Sequence, residues 1–133
     1  MSTIVADVYA LQAKFGFNQS PLDIDKLHLR GAMMQEELDE YYAALTQGSS
    51  MEVVDSLIDL TVFALGTLAI AGVDIQEAWD EVHLANMAKE RGTKSTRPDS
   101  KGWDLIKPDD WKEPDHGSNT GFIADVIYEA RSV

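Results

Sequence analysis

The chain contains no cysteine, which removes disulfides and thiolate chemistry at the outset. It is also short of positive charge: 11 lysines and arginines stand against 23 aspartates and glutamates, a formal net charge of -12. Gripping a nucleic-acid backbone needs a basic footprint, so nucleic acid is not an expected partner. An acidic chain can still take a polyphosphate where bound metal reverses the local sign. No basic stretch leads into an apolar one at the start, so a secretory signal is not expected. The longest apolar run, residues 60–73, is short for a bilayer span and has Asp59 at its edge. No membrane partner is therefore expected, and the cytoplasm is the default location. β-Branched residues nowhere alternate with period two, so no sheet is expected. Internal repeats and low-complexity tracts are lacking as well. A length of 133 residues suits one domain whose small core partner chains can complete.

What is present is helical periodicity, divided by glycines. Residues 3–15 space Ile4, Val8, Leu11 and Phe15 at helical intervals and end at Gly16. Residues 23–47 repeat at Leu27, Gly31, Met34, Leu38, Tyr41 and Leu45, an amphipathic helix with a seam for a helical neighbour, closed by Gly48. Ser49-Ser50-Met51-Glu52 reads as a capping box opening a helix to Ala71. That helix is apolar nearly all round, as a buried central helix would be. Asp74-x-x-Glu77 opens a fourth segment, with Ile75, Ala78, Trp79 and Val82 on one face, ending near Gly92. Residues 93–119 are rich in proline, glycine, lysine and aspartate, with Trp103 and Trp111 as isolated packing anchors. Residues 122–131 form a short terminal helix. The expected fold is all-α: a four-helix module over residues 1–92 and an irregular tail over 93–133 that packs on it or on a partner subunit, one domain in all.

Two acidic clusters carry the chemistry. The first is Glu36-Glu37-Leu38-Asp39-Glu40, and the second is Glu52, Asp55 and Asp59 beside apolar neighbours. Carboxylates against apolar surface are costly unless neutralised, and a hard divalent cation neutralises them with the oxygen ligands it prefers. Residues three and four apart on a helix lie roughly 5–6 Å from one another at Cβ, so Glu37/Glu40, Glu36/Glu40 and Asp55/Asp59 can each share an ion. Packing the two helices antiparallel across the Gly48–Ser49 turn gathers Glu36, Glu37, Glu40, Asp55 and Asp59 around magnesium or manganese. Gly66 continues the Asp55–Asp59 face and permits close approach of a helix or ligand. Asn86 offers an amide oxygen to a magnesium shell, and Lys89, nearly one turn on, can meet a phosphate. Such an arrangement suits phosphoryl chemistry, with a carboxylate not held by metal as general base.

Plainer readings stand beside these. Glu36, Asp39 and Glu40 taken singly are a solvated helix face. Glu52 is a helix cap or a ligand, and Asp55 compensates the helix dipole or binds metal. Asn86 bonds a neighbouring helix or serves the site. His83 is a partly exposed helix residue, and one histidine among carboxylates argues against zinc. Lys94, Lys101 and Lys107 are solvated, or they screen a bound polyphosphate.

The ordered set resembles a known family. Glu36-Glu37-Leu38-Asp39-Glu40 is similar to the EExxE motif of the MazG-like all-α nucleoside triphosphate pyrophosphohydrolases. Asp59, the Gly72-Val73-Asp74 turn and Asn86-Met87-Ala88-Lys89 follow in that family's order. The resemblance implies a helical module that assembles as dimers or tetramers. It implies magnesium-dependent cleavage of a (d)NTP between the α- and β-phosphates, yielding monophosphate and pyrophosphate and so controlling the nucleotide pool. It makes Glu37 and Glu40 ligands, Glu36 a ligand or water-orienting base, and Asp59 the aspartate of an ExxD motif. Here the sequence departs, because the expected glutamate is Ser56. Either Asp55 replaces it, or Glu52-x-x-Asp55 is itself the motif with Asp59 auxiliary. The stretch from Lys89 to Trp111, including Lys101, resembles the tails of small phage-type members, some of which favour dGTP; a phage origin would mean host cytoplasm. On that likeness Phe15 and Asn18 line the base pocket. The alternatives are a dUTPase-like or phosphoribosyl-ATP pyrophosphohydrolase, and a non-catalytic helical oligomerisation module.

Overall fold

A computed structural model describes residues 3–132. Its elements in order are α1 (Ile4–Phe15), α2 (Ile24–Gln47), α3 (Ser50–Ile70), α4 (Ile75–Met87), β1 (Glu90–Gly92), a 3-10 turn (Pro98–Ser100), β2 (Asp104–Ile106) and α5 (Ile123–Arg131). The fold is all-α apart from the small β1–β2 ribbon. Two compact units divide the described residues at 75/76 and 119/120. One unit holds α1, α2, α3 and α5; Gln76–Asn119 form the other.

In the first unit α1, α2 and α3 each start where a side chain caps them. The Thr3 hydroxyl accepts from the Ala6 amide at 3.0 Å, and the Asp23 carboxylate accepts from the Lys26 amide at 2.8 Å. The Ser49 hydroxyl accepts from the Glu52 amide at 3.4 Å. These bonds satisfy amides that the first helical turn leaves without partners. Gly48, with φ of 74°, turns the chain so that α3 runs back along α2, the most extensive helix pairing in the unit. Close packing of the three helices has a specific cause at Gly66. A Cβ there would lie 2.7 Å from both Arg30 Nη2 and Gln12 Nε2, so glycine alone admits those two side chains from α2 and α1. The expected close approach at Gly66 is thus made by the protein's own polar groups.

The core is small: Val8, Ala44, Ala71, Val73, Ile75 and Val126 are buried. The Tyr9 hydroxyl ties α1 to the turn after α3, donating to the Val73 carbonyl and accepting from the Ile75 amide, both at 3.1 Å. α5 docks on the same turn through the Phe122 amide, which donates to the Ala71 carbonyl at 2.8 Å. Gly121 makes this possible, since a Cβ there would stand 2.0 Å from that carbonyl oxygen.

Two expectations about the helices need correction. α3 is not a buried central helix within one chain. Only Ser56 and Gly66 along it are fully buried, while Met51 is 84% exposed, Val54 63% and Ile58 58%. A single chain lays α1 and α2 against α3 and leaves its remaining apolar faces uncovered. By length and composition α3 could cross a membrane, a test the core helix of a soluble protein also passes. Second, the fourth helix ends at Met87, well short of Gly92.

The second unit contains the sheet that the sequence reading lacked. β1 and β2 pair antiparallel, Glu90 with Ile106, Arg91 with Leu105 and Gly92 with Asp104. Three-residue strands are too short to display a period of two. Their connection is held by Arg97, whose guanidinium donates from Nε and Nη2 to the two Asp104 oxygens at 2.8 and 2.7 Å. Residues 93–119 are accordingly an ordered ribbon and loop. Trp111 anchors it, its indole N–H donating to the Ala85 carbonyl at 2.7 Å. Trp103 does not act as an anchor: it is 85% exposed, with the Arg91 guanidinium over its ring at 5.6 Å.

Candidate active site

The antiparallel register of α2 and α3 sets Arg30 against Thr67 and brings Glu37 and Glu40 to Asp55 and Asp59. Glu37 and Asp59 are half-buried, and Glu40 and Asp55 are exposed. Burial pushes the Glu37 carboxyl up to about 7; a hydrogen bond to Glu40 and the charges of Glu40, Asp59 and Asp55 add to the effect. Asp59 is raised as well, first by burial and then by the charge of Asp55 and a hydrogen bond to it. Asp59 is therefore neither lone nor fully buried. The four carboxylates act on one another as a single electrostatic group.

The cluster is open. Among the described residues no three Asp, Glu or His side chains close on one point as the ligands of a bound ion do. One observation nevertheless fits a cation. Glu37 Oε2 is buried and has no hydrogen-bond partner, an acceptor withdrawn from water with nothing to satisfy it. An all-oxygen, all-carboxylate donor set suits magnesium or manganese.

The register also bears on the Ser56 departure. Ser56 is 2% exposed, with its hydroxyl donating to the Val53 carbonyl at 3.1 Å, so it belongs to the packing face. Asp55 stands beside Asp59 in its place. Glu52 is exposed at the capped start of α3 and contributes to the raised pKa of neither Glu37 nor Asp59. Glu36 is exposed next to the cluster, and Asp39 lies on the solvated face, accepting from Gln35 Nε2 at 3.0 Å.

One turn from the carboxylates on both helices lies a cavity of about 460 Å³. Met33, one turn before Glu37, and Phe63, one turn after Asp59, line it together with Phe15, Phe17, Leu29 and Ile70. Arg30 lies in its wall. It is a buried guanidinium whose Nε donates to the Thr67 hydroxyl at 3.0 Å and whose Nη2 donates to the Phe63 carbonyl at 3.2 Å. Sequence reasoning missed Arg30. The available signal was its spacing, two turns before Glu37 and so on the same face of α2. Phe15 lines this cavity, and Asn18 lines an adjoining one of about 440 Å³ that shares Ser20, Leu22 and Ile70 with it.

Asn86, Lys89 and Lys101 lie in the second unit. Asn86 is exposed near the end of α4, and its carbonyl accepts from the Lys89 amide at 3.1 Å. The Lys89 ammonium sits over the Trp111 ring at 5.3 Å, with Lys107 over the same ring at 4.7 Å. Lys101 is exposed, with a left-handed φ of 50°. His83 is exposed.

Comparison with curated proteins finds no match. A family match covers residues 15–86, which include the carboxylate cluster and the cavity beside it and stop before Lys89 and Lys101. Spanning more than half of the chain, this match places the protein: it belongs to the phosphoribosyl-ATP pyrophosphohydrolase family, whose fold is all-α and whose activity is nucleotide pyrophosphohydrolysis.

Proposed function

We propose that the protein is a divalent-metal-dependent nucleoside triphosphate pyrophosphohydrolase of the MazG-like type. It cleaves a (d)NTP, a purine one such as dGTP before others, between the α- and β-phosphates. The observation that carries this reading is the group of four carboxylates from two antiparallel helices, with one Glu37 oxygen buried and unsatisfied. Glu37, Glu40, Asp55 and Asp59 would hold magnesium or manganese. Such a cation supplies positive charge to the phosphates and acidifies a coordinated water. Exposed Glu36, adjacent to the cluster, orients the attacking water and takes its proton. Water adds at the α-phosphorus and the bond to the bridging oxygen breaks. Monophosphate and pyrophosphate leave.

The family match favours one second reading, in which phosphoribosyl-ATP is the substrate and the same bond is cut. The protein works as a homo-oligomer in which Met51, Val54 and Ile58 of α3 are covered by a second copy; their exposure in one chain supports this. Ion-exchange analysis of products from the common NTPs, dNTPs and phosphoribosyl-ATP tests the reading directly. Monophosphate and pyrophosphate, formed only with metal and lost on the order of 100-fold in Glu40→Gln and Asp59→Asn with the helical fold intact, are the expected result. Full activity in both variants sinks the site; no turnover of any nucleotide leaves the non-catalytic helical module.

A further inference from the structure

We infer that the cavity beside the carboxylates takes the nucleobase and that Arg30 makes it select oxo bases, guanine first and then uracil or thymine, over adenine and cytosine. This deepens the pyrophosphohydrolase reading and rests on it for the position of the phosphates.

The cavity begins one turn from the carboxylates on both α2 and α3, roughly 6 Å along each helix axis. A nucleotide with its phosphates at the carboxylates therefore reaches it with the base. Its walls are apolar and aromatic. Phe15 and Phe17 stack with ring centroids 6.0 Å apart and stay 56% and 52% exposed at its edge, available to a base face.

The polar groups decide which base. The charged residues lining the cavity are Lys26 and Arg30, and no aspartate or glutamate joins them. Lysine and arginine only donate hydrogen bonds. The Lys26 ammonium donates one of its three hydrogens to the Pro21 carbonyl, and the other two can likewise meet only acceptors. Arg30 spends Nε and one Nη2 hydrogen on Thr67 and Phe63, which leaves its Nη1 edge for a ligand. No carboxylate among the described residues pairs with Arg30, and burial alone lowers its pKa. A cation withdrawn from water without a counter-charge is costly, and a ligand acceptor offsets that cost. Guanine presents two adjacent acceptors, O6 and N7, to a guanidinium; thymine and uracil present O4. Adenine and cytosine present an amino group at the corresponding place, donor against donor.

The first measurement is kcat/KM of the wild-type protein for dGTP, dATP, dUTP and dCTP. To these is added the triphosphate of 2-aminopurine deoxyriboside, which is guanine without its 6-oxo group. Oxo bases favoured over amino bases, and dGTP over the 2-aminopurine analogue, by about tenfold to a hundredfold is the expected result. Arg30→Lys keeps the charge but loses the planar fork. It should lower kcat/KM for dGTP more than for the 2-aminopurine analogue and so collapse their ratio toward one. If Arg30→Lys does not fold, the wild-type ratio decides alone. Equal turnover of oxo and amino bases, or preference for dATP or phosphoribosyl-ATP, overturns the inference and leaves the reaction class standing. Binding of hydrolysis-resistant α,β-methylene analogues separates the two ideas further. An oxo preference in Kd with no hydrolysis of the natural triphosphates keeps the pocket and removes the enzyme. Equal Kd values remove the pocket.

Discussion

At Glu37, burial and three neighbouring carboxylates oppose the charged form, so in the folded protein the group keeps its proton up to about pH 7, against 4.5 ordinarily. The folded state then binds more protons than the unfolded chain between those two values, and stability must fall as pH rises through that window. The contribution is fully present below pH 4.5 and is lost as pH passes about 7. Urea midpoints of the metal-free protein should decline across the window, and the decline should flatten in Glu37→Gln. Magnesium held by the proposed ligands would compete for the same oxygens, so its affinity should climb over the same interval, measured by calorimetry. A flat magnesium profile would place the ion elsewhere. Ser56 carries a different lesson. Its type departs from the motif of the resembled family, yet its burial keeps it on the packing face, while Asp55, one residue earlier, acts on Asp59.

Elements were legible in proportion to their length. α1, α2 and α3 are long, periodic and bounded by Thr3, Asp23, Ser49 and two glycines, so their limits follow from cap chemistry. The four carboxylates that converge were legible for the same reason, because helical spacing and one tight turn fix their relation. The β1–β2 ribbon was not legible, since its three-residue strands carry no apolar alternation and the Arg97–Asp104 pair across their connection joins residues seven apart in sequence. The pocket was not legible because Arg30 only acquires meaning beside Thr67 and Phe63 of another helix. Two predictions belong here. Gly66→Ala forces a methyl into the Arg30 and Gln12 side chains and should cost about 1–3 kcal/mol in chemical denaturation. Asp104→Asn removes one partner of the two-bond ion pair and should raise amide exchange in residues 93–103 while α2 and α3 exchange as before.

For the whole molecule, the deciding feature is apolar surface that one chain leaves open. Leu45 on α2 is exposed, as are Met51, Val54 and Ile58 on α3, although α3 is the most apolar helix present. Leu45→Glu combined with Met51→Glu, both outside the carboxylate cluster, should shift light-scattering mass toward the monomer and make thermal stability independent of concentration. A monomer mass for the unsubstituted protein would overturn the proposed homo-oligomer.

The contact between Gly121 and the Ala71 carbonyl has a consequence for how such a chain can change over time. It pins the strand of chain returning at residue 120 against the place where the chain departs at residue 75. Everything between is a topological insert with its two ends stapled together. Segments attached in this way tolerate growth, trimming or exchange without disturbing the framework that carries them. The helical unit with the carboxylates is thus closed at its own neck, and changes of length between residues 87 and 119, beyond the family match, are those it should absorb.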